Sequence, residues 1–277
     1  MFGIRRGKAQ RRSQVRGLRS AEQLEQKTVL AGNMAAFFAE GALVLLGDSQ
    51  DNSVEIAPND NGGISVFGTD GTTINGSVAP FVADSDTFLN AGISILGGKG
   101  SDSVLIDSID IDDGVSMLGG RGSDTLDIFD TIIEESVFLG GSRGQDTLIL
   151  EQSEVFGEVT ALMSRGADEV QVIDSVIVGD ANLVGGGDND VMVVNNSELD
   201  SDLRIATGSG ADVAVIVDSV VLGQTAALMG GGADGLGVID SEFNDFFFAT
   251  GGGGSDSLLL DSPFAGGSQF RSFEIDV

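Results

Sequence analysis

Eight aspartates, Asp102, Asp124, Asp146, Asp168, Asp190, Asp212, Asp234 and Asp256, recur every 22 residues without one insertion or deletion. Each closes a glycine-rich segment, among them GGKGSD, GGRGSD, GGGDND and GGGGSD. If successive repeats stack, these carboxylates repel one another by roughly 1 kcal/mol per neighbour in water, and by about 3–4 kcal/mol at an effective dielectric of 20. Something must offset that cost. A hard cation held by oxygen ligands is one answer, and loop N–H groups bonding each carboxylate are a second. A third is the basic column Lys99, Arg121, Arg143 and Arg165, three positions before the aspartate in four successive repeats. That column ends where glycines replace it at Gly187, Gly231 and Gly253. The spacing therefore predicts four self-neutralised segments followed by four uncompensated ones, with any cation in the C-terminal half.

The rest of the repeat states which elements must position this column. With the aspartate as position zero, apolar residues stand two residues on (Val104, Leu126, Leu148) and four residues on (Ile106, Ile128, Leu150). Further apolar columns begin at Ile111, Val115 and Met117. A spacing of two places side chains on one face of a strand. Each run is too short for a helix and rich in β-branched residues, so the repeat reads as three short strands. Between strands, Asp130, Asp174, Asn196 and Asp218 are each followed by Ser or Thr, the chemistry of a tight turn. Stacked three-sided coils bury their apolar columns only against neighbouring coils. The expected fold is all-β: a right-handed parallel β-helix (solenoid) of 22 residues per coil with three short strands per coil.

Composition narrows the chemistry. The 277-residue chain has no His, Cys, Trp or Tyr, 42 Gly and only 3 Pro. Disulfides, thiol nucleophiles, Cys/His metal sites and histidine acid–base catalysis are thereby excluded. Residues 1 to 27 carry eight basic and two acidic side chains, a charge of +6. That leaves −35 on the remainder of a chain whose net charge is −29. So acidic a body repels nucleic acid and anionic membranes and attracts cations. No apolar run reaches the length of a transmembrane helix, so no membrane span is expected.

Three segments follow from these patterns: a basic leader or arm at 1–33, an N-terminal cap with irregular first coils at 34–79, and the regular β-helix with its C-terminal cap at 80–277. Going backwards, Asn52 takes the aspartate slot with Val54 and Ile56 inward, and Pro80 takes the next slot after a 28-residue interval. Asp86, Thr87 and Leu89 continue the pattern. Open ends of a solenoid invite polymerisation. A short helix over Met34 to Glu40 and the aromatic residues Phe264, Phe270 and Phe273 are the expected covers.

The segments GGKGSD and GGRGSD resemble the RTX nonapeptide, the GGxGxD loop of a calcium-binding β-roll family, through Gly97, Gly98, Gly100 and Asp102 and through Gly119, Gly120, Gly122 and Asp124. The resemblance implies Ca²⁺ as cofactor and the eight ladder aspartates as ligand candidates; the best of them are the uncompensated Asp190, Asp212, Asp234 and Asp256 and the two clean motifs at Asp102 and Asp124. That family repeats its motif every nine residues, against one per 22 here. The segment AEQLEQKTVLAGN, with Leu24, Glu25, Leu30 and Ala31, resembles the LExLExRxLLA-like leader of exported and cell-surface repeat proteins of planctomycete bacteria. This second resemblance implies export.

The expected function is therefore that of a non-enzymatic, exported or cell-surface structural or adhesive β-helix, in contact with cell-envelope or matrix components. A fibre-forming solenoid, associating end to end, is the first alternative. A polysaccharide lyase or hydrolase is the second, and the absence of Trp and Tyr platforms and of a basic groove weighs against it.

Overall fold

The computed structural model describes residues 32–39, 41–84 and 92–274; residues 1–31 of the basic leader, the expected turn at Asp86 and Thr87 and the expected inward Leu89 lie outside them. From Gly92 onward the chain winds as a parallel β-solenoid. Its first regular coil consists of Ser103–Asp107, Asp110–Ile111 and Val115–Arg121, and this triplet recurs to the C-terminus. Equivalent strands pair in parallel, Leu126 with Val104 and Leu148 on either side, so the sequence offset of 22 is also the pairing register. Among the described residues three sheets of 12, 11 and 7 strands result, here called the long, middle and short faces. Neighbouring coils therefore lie about 4.8 Å apart, the strand-pairing distance.

The apolar columns point inward as the spacing predicts. Val104, Ile106, Ile111, Val115 and Met117 are buried, and their equivalents in later coils form one continuous core. The long-face strand runs further than expected. Val115–Arg121 includes Gly119 and Gly120, so the glycine-rich segment is largely strand and the corner shrinks to the two residues before the aspartate. Residues 97, 119, 141, 163, 185, 207, 229 and 251, five before each aspartate, thereby become an additional column. Gly97, Gly119, Met163 and Met229 in it are buried.

The N-terminal end departs from expectation. Met34 to Ala39 is not a helix but part of strand β1 (Asn33–Ala39), which pairs antiparallel with β2 (Ala42–Leu46). MAAFFA has good helix formers, but Met34 and Ala36 alternate into the core and Phe38 packs against it. Burial at period two outweighs intrinsic propensity. Pro80 is not in the aspartate slot either. Strand β3 (Ser53–Pro58) sits directly on Ser103–Asp107, so Asn52 stacks on Asp102, 50 residues away. The intervening chain leaves the stack: β4 (Ile64–Gly68) and β6 (Phe81–Ala83) add antiparallel to the middle face, while β5 (Thr73–Ile74) pairs with β1. This end is closed by antiparallel strands. At the other end Phe243, Phe247, Phe264 and Phe270 pack ring against ring at centroid distances of 4.7 to 5.6 Å, with Phe273 against the core, so the expected aromatic cover is present.

Candidate functional site

The aspartate column lies inside the solenoid. Position zero shares the parity of the inward positions two and four residues on, and that parity was the signal in the sequence for its direction. All eight side chains are 1–2% exposed. Each carboxyl reaches one coil back: Asp102 N–H donates to Asp124 Oδ1 at 2.8 Å, Asp124 N–H to Asp146 Oδ1 at 2.9 Å, and Asp190 N–H to Asp212 Oδ1 at 2.8 Å. The series continues to Asp234 N–H on Asp256 Oδ1 at 3.1 Å. Of the three answers to carboxylate repulsion, the backbone N–H is the one found along the whole column.

The second oxygen is different. Oδ2 of all eight aspartates is buried without a hydrogen-bond partner among the described residues. It lies against the residue five positions earlier: a Cβ on Gly119 would meet Asp124 Oδ2 at 2.3 Å, and one on Gly141 would meet Asp146 Oδ2 at 2.4 Å. Burial raises the pKa of Asp124 and Asp190 to about 7 and that of Asp146 to about 6, and neighbouring carboxylates add to the effect. Asp102, Asp168 and Asp234 are raised for the same first reason.

The expected division into two halves is not a property of this column. Lys99, Arg121, Arg143 and Arg165 are exposed, on the outside of the wall whose inside holds the aspartates. The N–H to Oδ1 bond is the same at Asp146 N–H, beside the basic residues, and at Asp212 N–H, beyond them, at 2.8 and 2.9 Å. The fit to calcium can be judged from the same geometry. The ion takes six to eight oxygens. Here each coil contributes one carboxyl whose Oδ1 already accepts an N–H, and among the described residues no three acidic side chains converge on one point. As they stand, Asp102, Asp124, Asp190, Asp212, Asp234 and Asp256 are placed as interior stacking groups and do not form a calcium cage.

A second polar column runs along the opposite end of the middle face. Thr131, Ser153, Ser175, Ser197, Ser219 and Ser241 are buried. Each serine hydroxyl accepts the N–H of the coil before it, as Ser175 Oγ does from Ser153 N–H at 3.2 Å, and all six hydroxyls donate to the carbonyl two residues back, as Ser175 Oγ does to Ile173 O at 2.7 Å. The residue before it (Asp130, Gln152, Asp174, Asn196, Asp218 or Asp240) sits at φ of 48° to 51°, the left-handed region Asp and Asn tolerate best.

Outside, Asp110, Asp112, Asp113, Glu134 and Glu135 are exposed to solvent. The outer side of the middle face changes along the axis. Its first coils present Ser103, Asp107, Thr125, Asp127 and Glu151, interspersed with Leu105 and Ile149. Asp127 is half-buried there, with its pKa raised to about 6 by burial and by the nearby Glu151 and Asp107. Later coils present Val191, Val193, Val213, Val215, Val217 and Leu259 outward, with Val213 43% and Leu259 60% exposed. Gly235 and Gly237 open a groove of about 350 Å³ between Val213 and Leu259. Sequence reading missed this surface, although the outward positions of VMVVN, VAVIV and SLLLD are legible once position zero is assigned inward.

No protein-family model, no curated protein and no solved structure matches the chain.

Proposed function

We propose that this chain is a non-catalytic, exported structural solenoid that adheres to cell-envelope or matrix material through the outer middle face of its C-terminal half. The observation that carries the reading is the apolar surface formed by Val191, Val193, Val213, Val215 and Leu259 on a body otherwise rich in exposed acids. Contiguous exposed apolar surface of this kind marks contact sites. The outer positions of the first coils hold Thr125, Asp127, Glu169 and Gln171, so polar residues fit the same columns. Stacking does not require valine there. Export rests on the resemblance of the basic leader to those of exported repeat proteins.

The test uses the full chain and a variant carrying Val193→Gln, Val215→Gln and Leu259→Gln. Co-sedimentation with envelope material from the producing cell should fall several-fold in the variant, with its thermal melting unchanged. Wild-type binding by the variant, retention of the full chain inside the cell, or cleavage of a panel of polysaccharides by the purified protein would each sink the reading.

A further inference from the structure

We propose that Asp102, Asp124, Asp146, Asp168, Asp190 and Asp234 are neutral carboxylic acids, each holding a proton on Oδ2 that it donates to the main-chain carbonyl two residues back, and that they make the solenoid lose stability as pH rises. Asn52, at the head of the ladder, supplies the template. Its N–H donates to Asp102 Oδ1 at 2.8 Å, as the aspartate N–H groups do further along. Its Nδ2 lies beside Gly47, five positions earlier, as each Oδ2 lies beside its own residue five positions earlier. From there Nδ2 donates to the carbonyl of Gln50, two residues back, at 2.8 Å, and to Asp102 Oδ1 at 3.1 Å. At the head of the ladder the place equivalent to Oδ2 thus holds a hydrogen-bond donor with two acceptor oxygens in reach. A carboxylate has no donor to offer, whereas a carboxylic acid has one. The serine column obeys the same rule, with every hydroxyl donating to the carbonyl two residues back.

The surroundings favour the neutral form. The titratable groups that bear on the column are carboxyls: Asp48 and Asp51 beside Asp102, Asp188 beside Asp168 and Asp190, and the ladder members on each other. Lys99, Arg121, Arg143 and Arg165 face outward at the same corner. Gly97, Gly119, Gly141 and Gly185, which lie against the carboxyls from the long face, and Met163, Thr207 and Met229, buried in the same column, carry no charge. The raised pKa values of Asp124, Asp146 and Asp190 agree.

The sign follows from linkage. An unfolded aspartate releases its proton near the ordinary value of 3.8, whereas folded Asp124 holds it to about 7. Between those values the folded state binds more protons than the unfolded one, so stability is greatest in acid and falls as pH rises towards 7. Neighbouring acids titrate as a coupled set. Each proton still held over that interval weakens the folding equilibrium roughly tenfold per pH unit.

The test is thermal melting and infrared spectroscopy of the full chain between about pH 5 and about pH 8, the window in which the ladder titrates. The expected results are a falling Tm, and at about pH 6 a protonated-carboxyl C=O band that shifts in deuterated water. The double variant Asp124→Asn, Asp190→Asn should show a shallower pH slope and melt above wild type at about pH 8, because each amide carries a permanent donor. If the variant does not fold, the wild-type band alone decides. Absence of that band at about pH 6, or stability that rises with pH across the window, would overturn the proposal. So would calcium that raises the Tm at about pH 6 and abolishes the band, since the gaps would then hold cations.

Discussion

The aspartate and serine columns stand at the two ends of the middle face and do one job with different chemistry. Both lend an oxygen to the N–H of the preceding coil, at 2.8 to 3.1 Å in one column and 3.0 to 3.2 Å in the other. The serine hydroxyl is also a donor, and its proton goes to its own backbone, as in Ser219 Oγ to Val217 O. Nothing in that column is left over. The aspartate column leaves one oxygen per coil without a partner. Serine would satisfy the backbone with no titratable group, so the aspartates add a chemical capacity that stacking alone does not require. The corners differ as well. Seven of the eight residues two before the aspartate are glycines with φ between 107° and 154°, while the serine corner sits near 50° and accepts Asp, Asn and Gln.

That difference predicts the largest effect. Gly232 has φ 154°, and a Cβ there would lie 1.4 Å from Gly210 O in the coil below. The obstacle is main chain, which cannot swing aside as a side chain would. Gly232→Ala should cost about 4 kcal/mol or more and leave urea melts without a native baseline at moderate temperature. A stable Gly232→Ala protein would mean that the aspartate corner is looser than this geometry allows.

Next in size is the loss of a ladder rung. Ser175→Ala removes the acceptor for Ser153 N–H and the donor to Ile173 O. It should destabilise by about 2 kcal/mol, equally at about pH 4 and about pH 7, because the hydroxyl that is removed does not titrate in that range. Asp146→Ala also removes a rung, but the pKa of Asp146 is raised to about 6. Its cost should be greater at about pH 4, where the native carboxyl is protonated, than at about pH 7. Equal pH profiles for the two variants would erase the distinction between the columns.

Much of this was legible in the sequence because a solenoid maps offset directly onto space. The spacing of 22, the inward columns and the turn chemistry at Asp174–Ser175 and Asp218–Ser219 carried over to the structure unchanged. The direction of the aspartates did not. GGxGxD was read as a loop, whereas Gly119 and Gly120 belong to a strand whose small residues make room for Asp124 inside. The pairing of Lys99, Arg121, Arg143 and Arg165 with the aspartates failed for the same reason, since sequence proximity does not say which side of a wall a residue faces. The stacking of Asn52 on Asp102 was hidden by the inserted antiparallel strands, which a repeat count takes for another coil.

The smallest effect tests the serine corner by itself. Gln152 is the one glutamine at a position that the other serine-bearing coils give to Asp or Asn, and its φ is 51°. Left-handed backbone disfavours a residue with a long side chain, whereas Asn is tolerated because its short amide bonds locally. Gln152 Nε2 makes only a long contact of 3.4 Å to Glu151, exposed to solvent, so little is lost with it. Asn196 at the equivalent position donates to Asp174 Oδ1, one coil back, at 2.5 Å. In Gln152→Asn the same donor would face Asp130, the residue one coil back. The substitution should raise stability by about 0.5 kcal/mol, read as a small increase in Tm. A decrease would mean that Glu151 or the neighbouring coils depend on the longer side chain, and that this corner is not set by backbone conformation alone.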